Sequence, residues 1–177
     1  MPPEVLFPLH LALGYVAWLL CFRAYVWPRL KSMDSFEAHR AIATFHSFRF
    51  FGLVFLLPGF VGANLPQGFA GSAAYGDFAT GVLAILALLT ARVRWLFWPL
   101  VWAFNLIGLA DVVVDTANAI SLDVPSVAGQ LGAAYAIPML YVPALVWMHL
   151  LAIWLLLRPA QSPARSADGP IPLAAAE

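Results

Sequence analysis

Lysine is almost missing from this chain: of its nine basic residues, eight are arginine and one, Lys31, is lysine. Lys31 falls between two apolar runs, which excludes a retinal-type Schiff base, since that chemistry needs a lysine inside the membrane. Cysteine is equally scarce. Cys21 stands alone, so no intrachain disulfide forms and the redox compartment cannot be read from cysteine usage. Charge is thin overall, with 10% charged residues against 63% hydrophobic. About a quarter of a soluble domain is charged, so lipid is expected to cover the surface that water cannot. The nine acidic residues cancel the nine basic ones, leaving no basic field for a nucleic acid. There is no glycine-rich phosphate loop, no His-Glu-x-x-His, no cysteine-rich metal site and no nucleophile elbow. No metal site is expected, and no enzyme class is assigned.

What the chain does have is long apolar runs. A bilayer core of about 30 Å needs roughly 20 apolar helical residues, and five stretches qualify, near 4–27, 42–64, 72–91, 95–120 and 131–157. Lipid offers the backbone no hydrogen bonds and the alternation of barrel strands is absent, so helices are expected. Met1-Pro2-Pro3-Glu4 puts no basic residue ahead of the first run, which reads as a retained helix rather than a cleaved signal. The cations Arg23, Arg29, Lys31, Arg40 and Arg49 surround the first connection, Arg92 and Arg94 sit in the third, and Arg158 and Arg165 follow the last run. With five spans all of these share one side, while Glu4, Asp77, Asp115 and Asp123 mark the other. The expected fold is therefore an all-α integral membrane protein, a five-transmembrane-helix bundle with the N-terminus outside and the C-terminus cytoplasmic. One domain covers 1–158, and the Pro-, Ser- and Ala-rich 159–177 reads as a disordered cytoplasmic tail. Asp34 and Glu37 have the spacing of a capping box, so a short cytoplasmic helix is expected to start there and run into the second span.

Ionisable groups at membrane depth cost a few kcal/mol each on insertion scales, which makes them the functional suspects. The fourth span carries Asn105, Asp111, Asp115 and Asn118. At 100° per residue, Asp111 and Asp115 are about 40° apart and Asn118 lies about 20° from Asp111, so these three share one face in the outer half. Two carboxylates one turn apart are able to hold a cation or share a proton; the alternative is that the helix ends near residue 113 and both sit in wet headgroups. His10 begins the first span at similar depth, on a face continued by Gly14, Ala17 and Cys21 that suits close packing, and a His10–Asp111 pair is one expectation. The inner half offers His46 and Arg49 on one face and His149 on the fifth span. His46 and His149 are candidates to ligate a haem b iron from opposite sides, with Arg49 at a propionate; a quinone on the His46/Arg49 face is a parallel reading. Pro58-Gly59, Pro138 and Pro143 are expected to kink their spans and open cavities.

Three functions stay open. The first is a small polytopic protein that binds or transports a small molecule, ion or proton through the acidic face of the fourth span. The second is a haem- or quinone-binding redox module using His46 and His149. The third is a non-catalytic accessory subunit of a larger membrane complex. The expected partners are the lipid bilayer and a homo-oligomer or larger complex, with no nucleic acid, and the expected location is a bacterial plasma membrane.

Overall fold

The computed structural model describes residues 1–158 and is all-helical over them; the tail expected at 159–177 lies outside the described residues. Among the described residues, four helices are long and apolar enough to cross a bilayer: α1 (Pro3–Ser32), α3 (Gln67–Leu89), α4 (Arg94–Ser121) and α5 (Ile137–Leu157). The helices thus have the length and composition of a multi-pass membrane protein. Between α1 and α3 the chain forms α2 (Ser35–Ser47), which continues directly into a 3-10 helix, Phe48–Leu56. The helix expected over 42–64 therefore ends eight residues early. Pro58 lacks a backbone donor and Gly59 takes φ 80°, and together they turn the chain out of helical geometry.

Helix starts differ from the expectation in informative ways. α3 begins at Gln67 instead of 72, behind Pro66, which carries Asp77 well inside the helix. α4 runs unbroken to Ser121, so Asp111 and Asp115 are helical and not in a frayed end. Residues 131–135, expected as the start of the last span, instead belong to a 3-10 segment, Val124–Tyr135, bent at Gly132 (φ 53°). At the start of α2, Asp34 accepts a hydrogen bond from the Phe36 N–H at 3.0 Å, while Glu37 pairs with Arg40 at 2.9 Å rather than closing a capping box.

Both π-turns stand just before a proline. Phe22–Val26 precedes Pro28, and Ile137–Tyr141 precedes Pro143. A proline in a helix loses its N–H and presses on the carbonyl four residues back, and widening the turn relieves that pressure. In α5 the carbonyl so displaced is that of Met139, and Gly14 of α1 lies directly over it. Trp18 Nε1 donates to the neighbouring Leu140 carbonyl at 2.7 Å, and Trp147 Nε1 donates back to Tyr15 O at 3.2 Å. Two indole–carbonyl bonds thus join α1 to α5, one of them at the widened turn before Pro143.

The helices share two ends. The Arg94 guanidinium lies 3.3 Å over the Phe36 ring and that of Arg158 lies 4.4 Å over Trp154, which meets Trp27 at 4.5 Å between centroids. Those contacts gather Arg29, Lys31, Arg40, Arg92, Arg94 and Arg158 at one end. At the other end, the Gly62 N–H donates to Gln130 O at 2.7 Å, tying the loop after Leu56 to the segment Val124–Tyr135. Two apolar clusters fill the interior. One contains Phe7, Phe55, Phe69 and Leu131; the other contains Phe22, Ile42, Phe97 and Leu155. Between them lies a polar band.

Candidate functional site

The polar band begins with a spacing. In the 3-10 helix, buried residues recur every third position: Arg49, Gly52 and Phe55, in line with His46 one step earlier on α2. A helix of 3.0 residues per turn places such residues in a single column, and this column faces α3, α4 and α5. Arg49 is 1% exposed, and every nitrogen of its guanidinium is engaged. Nε donates to Asp77 Oδ1 at 2.6 Å, Nη2 donates to Asp111 Oδ2 at 2.5 Å, and Nη1 donates to the Gly108 carbonyl at 3.2 Å and lies 3.1 Å from His149 Nε2. Bonding to four partners at once suits a planar guanidinium, whose five donors are spread over three nitrogens in a fixed fork, where an ammonium has three donors on one nitrogen.

The network continues from Arg49. Because Nη1 donates, His149 Nε2 accepts, so the imidazole is neutral with its proton on Nδ1, which donates to Asn105 Oδ1 at 3.0 Å. Asn105 Nδ2 in turn donates to Val101 O at 2.8 Å. Space for these side chains comes from two glycines. A methyl group on Gly76 would overlap the Asp111 carboxylate, and one on Gly108 would come within 2.6 Å of Arg49 Nη1 and 2.7 Å of the His149 ring. His46 stacks on His149 with centroids 3.9 Å apart and planes 27° from parallel, and packs on Phe104. It is fully buried, and neither ring nitrogen has a partner.

Beside the cluster lies a cavity of about 280 Å³. Phe7, Leu11, Phe55, Phe69 and Val112 give it apolar walls, and Arg49, Asp77 and Asp115 supply its charged side. Asp115 Oδ1 is buried without a hydrogen-bond partner. Asn118, one turn further along α4, donates to Ser72 Oγ at 2.9 Å and so ties α4 to α3.

The two sets of residues that looked separate in the sequence meet here. Arg49 and His149, expected in the inner leaflet, join Asp111 and Asn105 of the fourth span in one network. Arg49 does not lie at the end of the bundle where the other cations gather. His10 does not reach Asp111; its Nδ1 lies 2.9 Å from the Tyr135 hydroxyl. The haem reading does not fit either. Ligands on opposite faces of an iron point their nitrogens at each other along one axis, whereas His46 and His149 lie face to face with no room for a porphyrin, and His149 already has both nitrogens bonded. The residue that sequence reasoning missed is Asp77. It had been counted only among the acids marking the outer side, five residues into the expected span, yet it lies ten residues inside α3, about 15 Å from its start at 1.5 Å per residue. The flanking Ala73, Ala74, Thr80 and Gly81 were the available signal, because a lone acid on a small-residue face is an interior position.

A family model described as a domain of unknown function (DUF8737) matches residues 6–157, which takes in every residue of the cluster and the cavity. No curated protein and no solved structure matches the chain.

Proposed function

We infer that this chain, which belongs to the DUF8737 family, binds or carries a small molecule, cation or proton at the acidic site between α3 and α4. One observation carries the reading: two carboxylates, Asp77 and Asp111, share a single arginine at membrane depth, and a third, Asp115, one turn along α4, lines the adjoining cavity and has an oxygen without a hydrogen-bond partner. Arg49 balances one negative charge. The remainder is costly in a low-dielectric interior, so the site gains from a proton or a positively charged guest. Asp77 and Asp111 each lie ten residues inside helices of membrane length, which puts the site about 15 Å from the helix ends, near the midplane of a bilayer core of about 30 Å. Binding sites of carriers commonly occupy that level.

The same reading takes the chain as crossing five times, with α2 and its 3-10 continuation as the second crossing. Its polar residues face the interior column and its phenylalanines Phe48, Phe50 and Phe51 face outward. The cation-rich end is cytoplasmic by the positive-inside rule, which puts the N-terminus outside. Difference infrared spectroscopy of the reconstituted protein tests the site. A change of pH, or added Na⁺, should alter a carboxyl band that is missing in Asp115→Asn and Asp111→Asn. If every carboxyl band is indifferent to pH and to Na⁺, or if the responding bands survive both substitutions, the site does not bind.

A further inference from the structure

We propose that the cavity takes a lipid-soluble amine, an apolar body with an ammonium head, admitted from the bilayer between α1 and α4 with its head at Asp115. The proposal rests on the acidic-site reading and adds to it the chemistry of the guest and its route.

The guest's chemistry follows from what the cavity lacks. Arg49 already spends four of its five N–H groups on Asp77, Asp111, Gly108 and His149. Asp115 has a buried oxygen with no donor at all. The missing partner is therefore a hydrogen-bond donor. A quinone carbonyl brings an acceptor where an acceptor is already unmet, and an anionic head would meet Asp77 and Asp115 together. An ammonium supplies three donors and cancels a charge. The rest of the wall, with Phe7, Leu11, Phe55, Phe69 and Val112, suits a hydrocarbon or aromatic body.

The route follows from what is closed. The segment Val124–Tyr135 covers the end of the cavity, with Val124 and Leu131 fully buried. Tyr135 pins α1 to that cover through His10 and by the edge of its ring against Phe7. Laterally the wall is open. α1 packs on α5 and on Val124–Tyr135, and among the described residues it makes no comparable contact with α4. Pro8 on α1 and Thr116 and Ile120 on α4 line the cavity and are also exposed. Around them the surface is apolar, with Val5, Leu9 and Val113 facing outward, so the gap opens to lipid rather than water.

The test uses the purified full-length protein in mild detergent, with its melting temperature read against added decylammonium, decanol or methylammonium. Decylammonium should raise Tm, and decanol and methylammonium at equal concentration should not. Asp115→Asn should weaken the decylammonium effect about tenfold or more, the loss of one charge-assisted bond. Ala119→Trp, which places an indole in the α1–α4 gap, should weaken it to a similar extent while Asp115 stays in place. If methylammonium stabilises as well as decylammonium, in an Asp115-dependent way and unaffected by Ala119→Trp, the proposal fails and the acidic site stands. If decylammonium and decanol act alike in wild type and in Asp115→Asn, both fail. Asp115→Asn keeps the size of the side chain while removing its charge and should fold; should it not, Ala119→Trp decides the route alone, and undiminished binding there overturns it.

Discussion

Replacing Arg49 with leucine is the sharpest perturbation this structure invites. The substitution removes the counterion of Asp77 and Asp111, which are 4% and 9% exposed, and leaves hydrocarbon between them. Breaking a buried ion pair by removing one partner costs about 3–5 kcal/mol. A second route gives a similar figure. A stranded carboxylate escapes by taking up a proton, and holding a group that ordinarily titrates near 4 in its protonated form at neutral pH costs about 4 kcal/mol, from roughly three units at about 1.4 kcal/mol each. Two carboxylates are stranded, but the dehydration of Arg49 itself, several kcal/mol, is no longer incurred. The expected net loss is about 3–5 kcal/mol.

The sign of the next step separates this account from a plain cavity effect. Neutralising the stranded acids as well, in Arg49→Leu/Asp77→Asn/Asp111→Asn, should recover more than half of the loss, because replacing a whole buried ionic group by neutral residues is often near neutral. Arg49→Lys should lie between the two, since one ammonium cannot bond Asp77, Asp111 and Gly108 at once. The assay is denaturant or thermal unfolding in mild detergent, followed by the fluorescence of the seven tryptophans. A single mutant within about 0.5 kcal/mol of wild type, the range of ordinary surface changes, refutes the reasoning. So does a triple mutant no more stable than the single one.

Other consequences are simpler to state. His46→Phe should raise stability by about 1 kcal/mol, because it removes two buried nitrogens with no partner while keeping a ring against His149 and Phe104; a loss of stability would mean that those nitrogens are bonded. Gly108→Ala should cost about 1–3 kcal/mol by forcing Arg49 and His149 aside, and that cost should shrink in an Arg49→Leu background; equal costs in the two backgrounds would show that Arg49 is not the clashing group. In a Cys21→Ser background, a cysteine at Ser126 should react with a membrane-impermeant maleimide in intact cells and one at Ser32 only after permeabilisation; the reverse pattern would invert the orientation. Trp18→Phe should cost about 1 kcal/mol through the lost bond to Leu140 O, and no change would mean that the indole bond is not holding α1 to α5.

Hydropathy and length carried most of the fold. The four apolar helices could be read directly, because a run of some 20 apolar residues has few other uses. The segment from Ser35 to Leu56 was harder. Its polar residues blur the hydropathy, and its 3-10 stretch keeps a three-residue period that a 3.6-residue template misreads. Asn105, Asp111, Asp115 and His149 stood out because charge and amide at membrane depth are rare. Their partnership did not stand out. Arg49 is 28 residues from Asp77, 62 from Asp111 and 100 from His149, and one sequence holds nothing that ties positions on separate helices. The error over Asp77 was smaller and more avoidable. Starting α3 five residues too late left an interior acid near the outer end of its expected span, where it counted as evidence for topology instead of a site.

The composition of the polar band argues for function more strongly than for stability. Helices in lipid gain no hydrophobic free energy by associating, so small residues and a few polar bonds suffice to hold a bundle. Here the indole–carbonyl bonds of Trp18 and Trp147 and the Asn118–Ser72 bond already do that work between helix pairs. The cluster around Arg49 goes well beyond it: one guanidinium, two bonded carboxylates, a tautomer-fixed histidine and an amide, all at mid-depth, with a second histidine stacked on them whose nitrogens bond nothing. A band designed for packing would close its valences and match its charges. This one leaves His46 unsatisfied on one side and Asp115 on the other, with the arginine network between them and a cavity against the acid. Unmet valences at both margins of a well-bonded network are what a site needs if a proton or a guest cation is to come and go while the network itself stays in place.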